Sequence, residues 1–219
     1  MNLCKRSSAE ALGSAFLLAV VVGSGIMAER LAAGQQAVAL LANALATGAS
    51  LVALILSLGT ISGAHFNPVV TLSAALRKEL PWSNVPAYIA AQIGGAFAGV
   101  AAAHLMFELP LFTASQHSRS GLAQGFSEFV ATFGLLVVIG GCARSRPQRV
   151  AYAVGAYITA AYWFTASTSF ANPALTLARA ASDTFAGIRP VDAPMFIVAQ
   201  LLGMLAATYL LRWWQGTES

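Results

Sequence analysis

Two short segments, each built around an Asn-Pro pair, constrain the fold of this chain more than any other feature. The first pair is Asn67-Pro68 and the second is Asn172-Pro173. Asn is a preferred N-cap, and Pro fits the first helical position, where the missing N–H would have no partner, so each pair predicts a helix start. Each apolar run that follows covers only about half of the ~20 residues that a bilayer crossing requires. The pattern therefore predicts two half-helices that begin inside a membrane.

The composition favours a membrane environment. Hydrophobic residues make up 58% of the 219 residues and charged residues 9%, with a mean hydropathy of +0.70, whereas soluble domains have ~25% charged residues. The net charge of +4 would suit a nucleic-acid partner, but the basic residues occur in small groups at the ends of apolar segments, which membrane topology explains better. We therefore expect a polytopic protein whose surroundings are the lipid bilayer, with no nucleic-acid partner.

Six apolar segments have the length of transmembrane helices. They cover about 8–28, 36–58, 84–106, 121–141, 149–168 and 192–213. The first follows Lys5 and Arg6, as the apolar part of a secretory signal would, but it contains Glu10 and is longer than a typical signal. We interpret it as the first membrane helix.

The basic residues predict the orientation. Eight of the twelve fall on the side of the two termini: Lys5, Arg6, Arg77, Lys78, Arg144, Arg146, Arg149 and Arg212. Because cytoplasmic connections carry the excess of Lys and Arg, both termini are expected in the cytoplasm.

The chain also contains an internal repeat. Three residue types recur in the same order in the two halves, about 1–112 and 118–219: Glu10 and Glu128, Asn67 and Asn172, and Gln92 and Gln200. Each half has three spans, an odd number, so the second half must be inserted upside down relative to the first. The first half-helix would then enter from the cytoplasm and the second from outside.

With these features the sequence resembles the major intrinsic proteins, the aquaporin and aquaglyceroporin family. The resemblance rests on the motifs Asn67-Pro68-Val69 and Asn172-Pro173-Ala174 within six spans, with Ser-Gly-x-His before the first motif; Val69 stands where the family usually has Ala. It implies an all-α membrane fold of six transmembrane helices plus two re-entrant half-helices in an inverted repeat. It also implies a homotetramer in a plasma membrane, such as a bacterial inner membrane, with one pore per subunit.

The half-helices suggest how such a pore works. Each helix N-terminus carries unsatisfied N–H groups and about half a positive charge, so two of them meeting at mid-membrane repel cations. The Asn67 and Asn172 amides can donate hydrogen bonds to a neutral solute. Backbone carbonyls of the irregular segments before each Asn are expected to line the pore, at Gly63, Ala64, His65, Thr168 and Phe170.

Two acidic residues within the predicted spans, Glu10 and Glu128, allow two interpretations. A carboxylate in a span often marks a proton pathway, which would suit a proton-coupled secondary transporter. The two residues nevertheless occupy equivalent repeat positions, beside re-entrant segments whose backbone N–H groups need acceptors. The resemblance implies this bracing role, which we favour.

The resemblance also implies a selectivity filter of four positions. In the usual water channel these hold an aromatic residue, a His, a small residue and an Arg; ungapped spacing carries them to Thr47, Ala160, Ser169 and Leu175. Such a filter would be wider and less hydrophilic. Arg179 lies four residues beyond Leu175, about 6 Å further outward by helical rise, so we expect it in the outer vestibule and outside the filter.

The predicted function is a passive channel for small neutral solutes. A wide filter suits glycerol, urea and the trihydroxides of arsenic and antimony, and it would pass water as well. The segment 172–188 resembles bacterial members of the family associated with arsenic resistance. No nucleophile–base set and no metal-ligand spacing is recognisable, so we expect no catalytic residue, no metal site and no cofactor. The alternative is a proton-coupled transporter that uses Glu10 or Glu128.

Overall fold

The computed structural model describes residues 1–216, and these form eight α-helices, two short 3-10 turns and no strand. The helices are α1 (Leu3–Leu31), α2 (Gln36–Ser62), α3 (Pro68–Leu76), α4 (Val85–Met106), α5 (Leu122–Ser145), α6 (Val150–Phe164), α7 (Pro173–Arg179) and α8 (Ala193–Gln215). Five of them, α1, α2, α4, α5 and α8, are long and apolar enough to cross a membrane.

The two short helices begin where the sequence predicts. Asn67 and Asn172 are the N-caps of α3 and α7, both with extended backbone, and a Pro follows each. The Asn67 side chain accepts a hydrogen bond from the Val69 N–H at 3.0 Å, and the Asn172 side chain accepts one from the Ala174 N–H at 3.0 Å. Each cap satisfies a backbone donor that the first helical turn leaves free.

Close helix packing recurs in both halves of the chain. Helix α1 packs along α4, and α5 packs along α8. Gly95 and Gly99 lie so close to the carbonyl oxygens of Ala11 and Ala15 that a Cβ at either glycine would overlap them. Gly203 lies similarly close to the Phe129 carbonyl of α5. Small residues thus let the helix backbones approach closely, as is usual in membranes.

Helix α6 is shorter than the predicted fifth span of about 149–168. Its fifteen residues rise by ~22 Å, less than the ~30 Å hydrocarbon core. The helix ends at Phe164 because the chain then turns inward, where the Ser167 hydroxyl donates to the Glu128 carboxylate. The loop that leads to α7 therefore begins inside the expected span.

Candidate functional site

Glu10 holds the loop before α3. Its Oε1 accepts hydrogen bonds from the Ser62 hydroxyl at 2.6 Å and the His65 N–H at 2.9 Å. Its Oε2 accepts from the Phe66 N–H at 2.7 Å and the Gln92 amide at 2.8 Å. The side chain is fully buried. Its carboxylate accepts four hydrogen bonds and so replaces the water molecules to which the loop's N–H groups would otherwise donate.

Glu128 holds the loop before α7 with the same set of contacts. Its Oε1 accepts from the Ser167 hydroxyl at 2.6 Å and the Phe170 N–H at 2.8 Å. Its Oε2 accepts from the Ala171 N–H at 2.8 Å and the Gln200 amide at 2.6 Å. The structure therefore places both glutamates where the bracing role requires them.

The braced loops contain unusual backbone. Five non-glycine residues have positive φ: Ala64 (53°), Phe66 (49°), Thr168 (60°), Ser169 (52°) and Ala171 (47°). This left-handed conformation costs about 1–3 kcal/mol per residue and persists only where neighbouring contacts enforce it. The two carboxylates hold the N–H groups of Phe66 and Ala171 directly. The hydroxyls of Ser62 and Ser167, which donate to the same carboxylates, accept from the N–H groups of Ala64 and Ser169.

The two loops also bind each other through the capping asparagines. The Asn67 amide donates to the Ala171 carbonyl at 2.7 Å, and the Asn172 amide donates to the Phe66 carbonyl at 2.8 Å. The N-termini of α3 and α7 therefore meet inside the protein. Each amide nitrogen carries two hydrogens, so each Asn keeps one donor for another partner.

A cavity of about 560 Å³ passes this meeting point. Its lining extends from Arg77 and Glu79 past both asparagines to Arg179. The predicted site residues that line it are Asn67 and Asn172, the loop residues Gly63, Ala64, His65 and Phe170, and the filter residues Thr47, Ser169 and Leu175. Phe66 and Ala171, which the sequence analysis did not include, line it as well.

The expectation for Ala160 is wrong in position. Ala160 is exposed on the outside of α6, and the lining residues of that helix include Ile158 and Tyr162. Two residues along an α-helix change direction by ~200°, so ungapped spacing placed the filter position on the opposite face. Tyr162 contributes an aromatic wall, and its hydroxyl hydrogen bonds with the Thr47 hydroxyl at 3.1 Å. The cavity wall at Tyr162 is therefore bulkier and more polar than an alanine there would make it.

Four other predicted residues of the motifs, and one of the loop, lie behind the cavity wall. Pro68, Val69, Pro173 and Ala174 are buried at the starts of α3 and α7. The expectation that the Thr168 backbone lines the pore is also not met, because Thr168 lines a second cavity, where its hydroxyl accepts a hydrogen bond from Arg119 Nη1 at 3.3 Å. The left-handed turn at Thr168 and Ser169 points only the second of these residues toward the main cavity.

Arg179 is more deeply buried than the sequence led us to expect. Only 1% of the residue is exposed, and it lines the same cavity as Leu175. Its Nε donates to the Ala186 carbonyl, and its guanidinium carbon lies 3.3 Å from the centre of the Phe170 ring. These contacts fold the side chain back from the open vestibule that helical rise alone had suggested.

Two threonines complete the braces and were missed in the sequence. Thr71 and Thr176 each donate to the carbonyl of the capping Asn four residues earlier. Each also accepts from a glutamine, Gln92 at 2.9 Å or Gln200 at 3.0 Å. Their equal spacing from Asn67 and Asn172 is visible in the sequence and could have identified them.

Ionisable groups outside the spans lie near both ends of the pore region. Glu79 pairs with Arg77 at 2.9 Å; burial raises the pKa of Glu79, and the charge of Arg77 partly opposes this. In the loop between α4 and α5, burial and then the charges of Arg119 and Arg179 lower the pKa of His117. Both effects favour the neutral form of the His117 imidazole.

Comparisons with known proteins agree with this architecture. The profile of the family described as "Major intrinsic protein" matches residues 1–149 and 141–219. The chain is similar in fold to the X-ray structure of the aquaglyceroporin from Plasmodium falciparum, with a TM-score of 0.77 and 20% identity over 95% of each chain.

Sequence relatives extend over nearly the whole chain. The chain is 55% identical to "Aquaglyceroporin AqpS" of Rhizobium meliloti (strain 1021) over 212 residues, which are 97% of this chain and 91% of the relative. It is 30% identical to "Aquaporin NIP6-1" of Arabidopsis thaliana over 220 residues, covering 96% of this chain and 70% of the relative. This chain, a multi-pass membrane protein with the aquaglyceroporin fold, belongs to the major intrinsic protein family.

Proposed function

We propose that the protein is a passive channel for small neutral solutes larger than water, with glycerol, urea and the trihydroxides of arsenic and antimony as its solute class. The observation that carries this proposal is the lining of the cavity beside the capping asparagines. Leu175 and Ser169 line the cavity, and each lies three residues from Asn172 in the sequence. Leu175 stands where the family's water channels usually have an Arg, so this wall lacks a guanidinium at that position.

The polar groups of the cavity suit hydroxylated solutes. Thr47 and Tyr162 contribute hydroxyls, and the Ser169 hydroxyl is buried without a hydrogen-bond partner within the described part of the chain. A neutral solute with several hydroxyls can exchange its bonds to water for bonds to these groups and to the Asn amides, whereas an ion is not compensated for its lost hydration. Apolar residues such as Leu175 and Ile158 line other parts of the wall.

The likeness to AqpS, whose name describes an aquaglyceroporin, supports polyols as part of the solute class. Arsenite and antimonite belong to the proposal because their neutral trihydroxides present a similar rim of hydroxyls. The resemblance of residues 172–188 to bacterial family members associated with arsenic resistance adds support. A plasma-membrane location with cytoplasmic termini, and assembly as a homotetramer, complete the proposal.

A proton-coupled transporter is the alternative that the acidic residues raised. The contacts of Glu10 and Glu128 disfavour it, since each carboxylate already accepts four hydrogen bonds and is fully buried. A carried proton would have to displace one of those donors. We therefore assign both residues to bracing.

Replacing Leu175 with Arg tests the solute class. We expect Leu175→Arg to reduce glycerol and arsenite uptake by proteoliposomes by roughly tenfold and water permeability by much less, because a guanidinium narrows the wall and holds fixed donors there. Leu175→Met is the matched control and should behave like the wild type. Size-exclusion profiles in detergent verify that each variant is folded. An unchanged ranking of the three solutes in Leu175→Arg, or a wild type that passes water alone, contradicts the proposal.

A further inference from the structure

One buried arginine of the cavity lining, Arg179, was expected in the outer vestibule and outside the filter. Arg179 is the last residue of α7, seven positions after Asn172 and four after Leu175. Although those four residues correspond to a rise of ~6 Å, Arg179 and Leu175 line the same cavity. The Arg179 side chain is buried, and its Nε reaches the Ala186 carbonyl in the loop between α7 and α8.

Two contacts fix the Arg179 guanidinium. Its Nε donates to the Ala186 carbonyl, and its central carbon lies 3.3 Å from the centre of the Phe170 ring. The Phe170 ring is itself held edge-on against Phe196, with 5.1 Å between the ring centres. A cation over a buried aromatic ring is held more firmly than one at an exposed site.

Arg179 keeps a donor that these contacts do not use. Its Nη1 is buried and has no hydrogen-bond partner among residues 1–216. Arg119, the other buried arginine nearby, differs, because it donates to the carbonyls of Gly187 at 2.8 Å, Ser167 at 3.2 Å and Phe185 at 3.4 Å. Arg119 also does not line the main cavity. Arg119 therefore ties loops together, whereas Arg179 lines the main cavity and has a buried N–H without a hydrogen-bond partner among the described residues.

The charge of Arg179 also has no ion-pair partner among the described residues. The ion pairs between described residues join Arg77 to Glu79 and Arg189 to Asp192, and neither includes Arg179. A buried charge without a counter-ion is costly, and a neutral side chain could pack against Phe170 at lower cost. The field of such a charge acts strongly in a narrow, low-dielectric passage.

We propose that Arg179 is a specificity-determining residue that supplies the fixed guanidinium of this pore from one turn beyond Leu175. Its Nη1 donates a hydrogen bond to a hydroxyl oxygen of a passing neutral solute, and its charge repels alkali cations and hydronium. This inference rests on the proposed channel function. Cation exclusion then depends on the Arg179 side chain as well as on the two helix N-termini. The cavity wall at Leu175 stays apolar.

Cation conductance in planar bilayers tests the role of Arg179. We expect Arg179→Gln to raise K⁺ and proton conductance by roughly tenfold, because the fixed positive charge is lost. Arg179→Lys keeps the charge and should keep most of the exclusion. Arg30→Gln is the matched control, since Arg30 is an exposed arginine that donates to the Phe107 carbonyl at the end of α4. The conductance of the Arg30→Gln variant should equal that of the wild type.

A second-site rescue separates this role from a structural one. The double variant Leu175→Arg with Arg179→Gln returns a guanidinium to the same cavity wall, so it should restore cation exclusion to near the wild-type level. A purely structural role for Arg179 would give no rescue, and that result overturns the inference, as does wild-type conductance in folded Arg179→Gln. If Arg179→Gln alone does not fold, the double variant decides. A folded double variant that excludes cations supports the inference, and a double variant that does not fold or that conducts cations overturns it. Glycerol uptake by the wild type judges the proposed function separately, because the conductance ratios do not depend on it.

Discussion

At the scale of single residues, two carboxylates account for the shape of both loops. Glu128 accepts two bonds on each oxygen, from one hydroxyl, two backbone N–H groups and one amide. Glu10 repeats this set on the other loop. Four bonds use the full acceptor capacity of a carboxylate, so neither residue has a site for a transported proton unless the loop opens.

Glu128→Gln should therefore destabilise the protein. The amide of a glutamine has one acceptor oxygen and one NH₂ group. The NH₂ group would face either the Ala171 N–H and the Gln200 amide or the Ser167 hydroxyl and the Phe170 N–H, and none of these donors could bond to it as it does to the carboxylate. We expect a loss of roughly 3 kcal/mol of folding free energy, because buried donors lose charged acceptors. Thermal unfolding in detergent measures this loss. Glu29→Gln, at an exposed position near the end of α1, is the control. A Glu128→Gln protein as stable as the wild type that loses only proton-driven solute accumulation would instead support the coupled transporter.

At the scale of elements, the half-helices were predictable and the filter position on α6 was not. Asn-Pro is a local signal, since capping and the missing proline donor act within a few residues, and both α3 and α7 start at their predicted residue. The face of α6 toward the cavity depends on the length of the loop that follows it. This helix ends at Phe164. Ungapped spacing gave Ala160, which is exposed, whereas Tyr162 lines the cavity. The burial of Arg179 was not predictable for a related reason: helical rise locates a Cα, but the contacts with Phe170 and Ala186 locate the guanidinium.

At the scale of the whole molecule, corresponding parts of the two halves meet at the centre. The Asn67 amide binds the carbonyl before Asn172, and the Asn172 amide binds the carbonyl before Asn67. The packing of α1 with α4 likewise corresponds to that of α5 with α8. These contacts favour an inverted repeat of two halves around one pore. Such an arrangement requires α3 and α7 to enter from opposite sides of the membrane.

The predicted orientation can be measured directly. Because most basic residues fall on the side of the two termini, we expect the connection between α5 and α6 to be cytoplasmic. A cysteine placed by Ser145→Cys, in a protein whose Cys4 and Cys142 are replaced by Ser, should react with an impermeant maleimide only after the cells are permeabilised. Gln116→Cys, in the exposed loop between α4 and α5, is the control and should react in intact spheroplasts. The opposite labelling pattern would reverse the orientation.

The central claim is passive conduction of neutral solutes along the cavity past Asn67 and Asn172. Its most direct test is the initial rate of glycerol uptake by proteoliposomes containing purified protein, measured against glycerol concentration with and without an imposed proton gradient. A channel predicts a rate well above that of protein-free liposomes, linear in concentration and unaffected by the gradient or by a protonophore. A rate that saturates with concentration and falls when the proton gradient is collapsed would contradict the account.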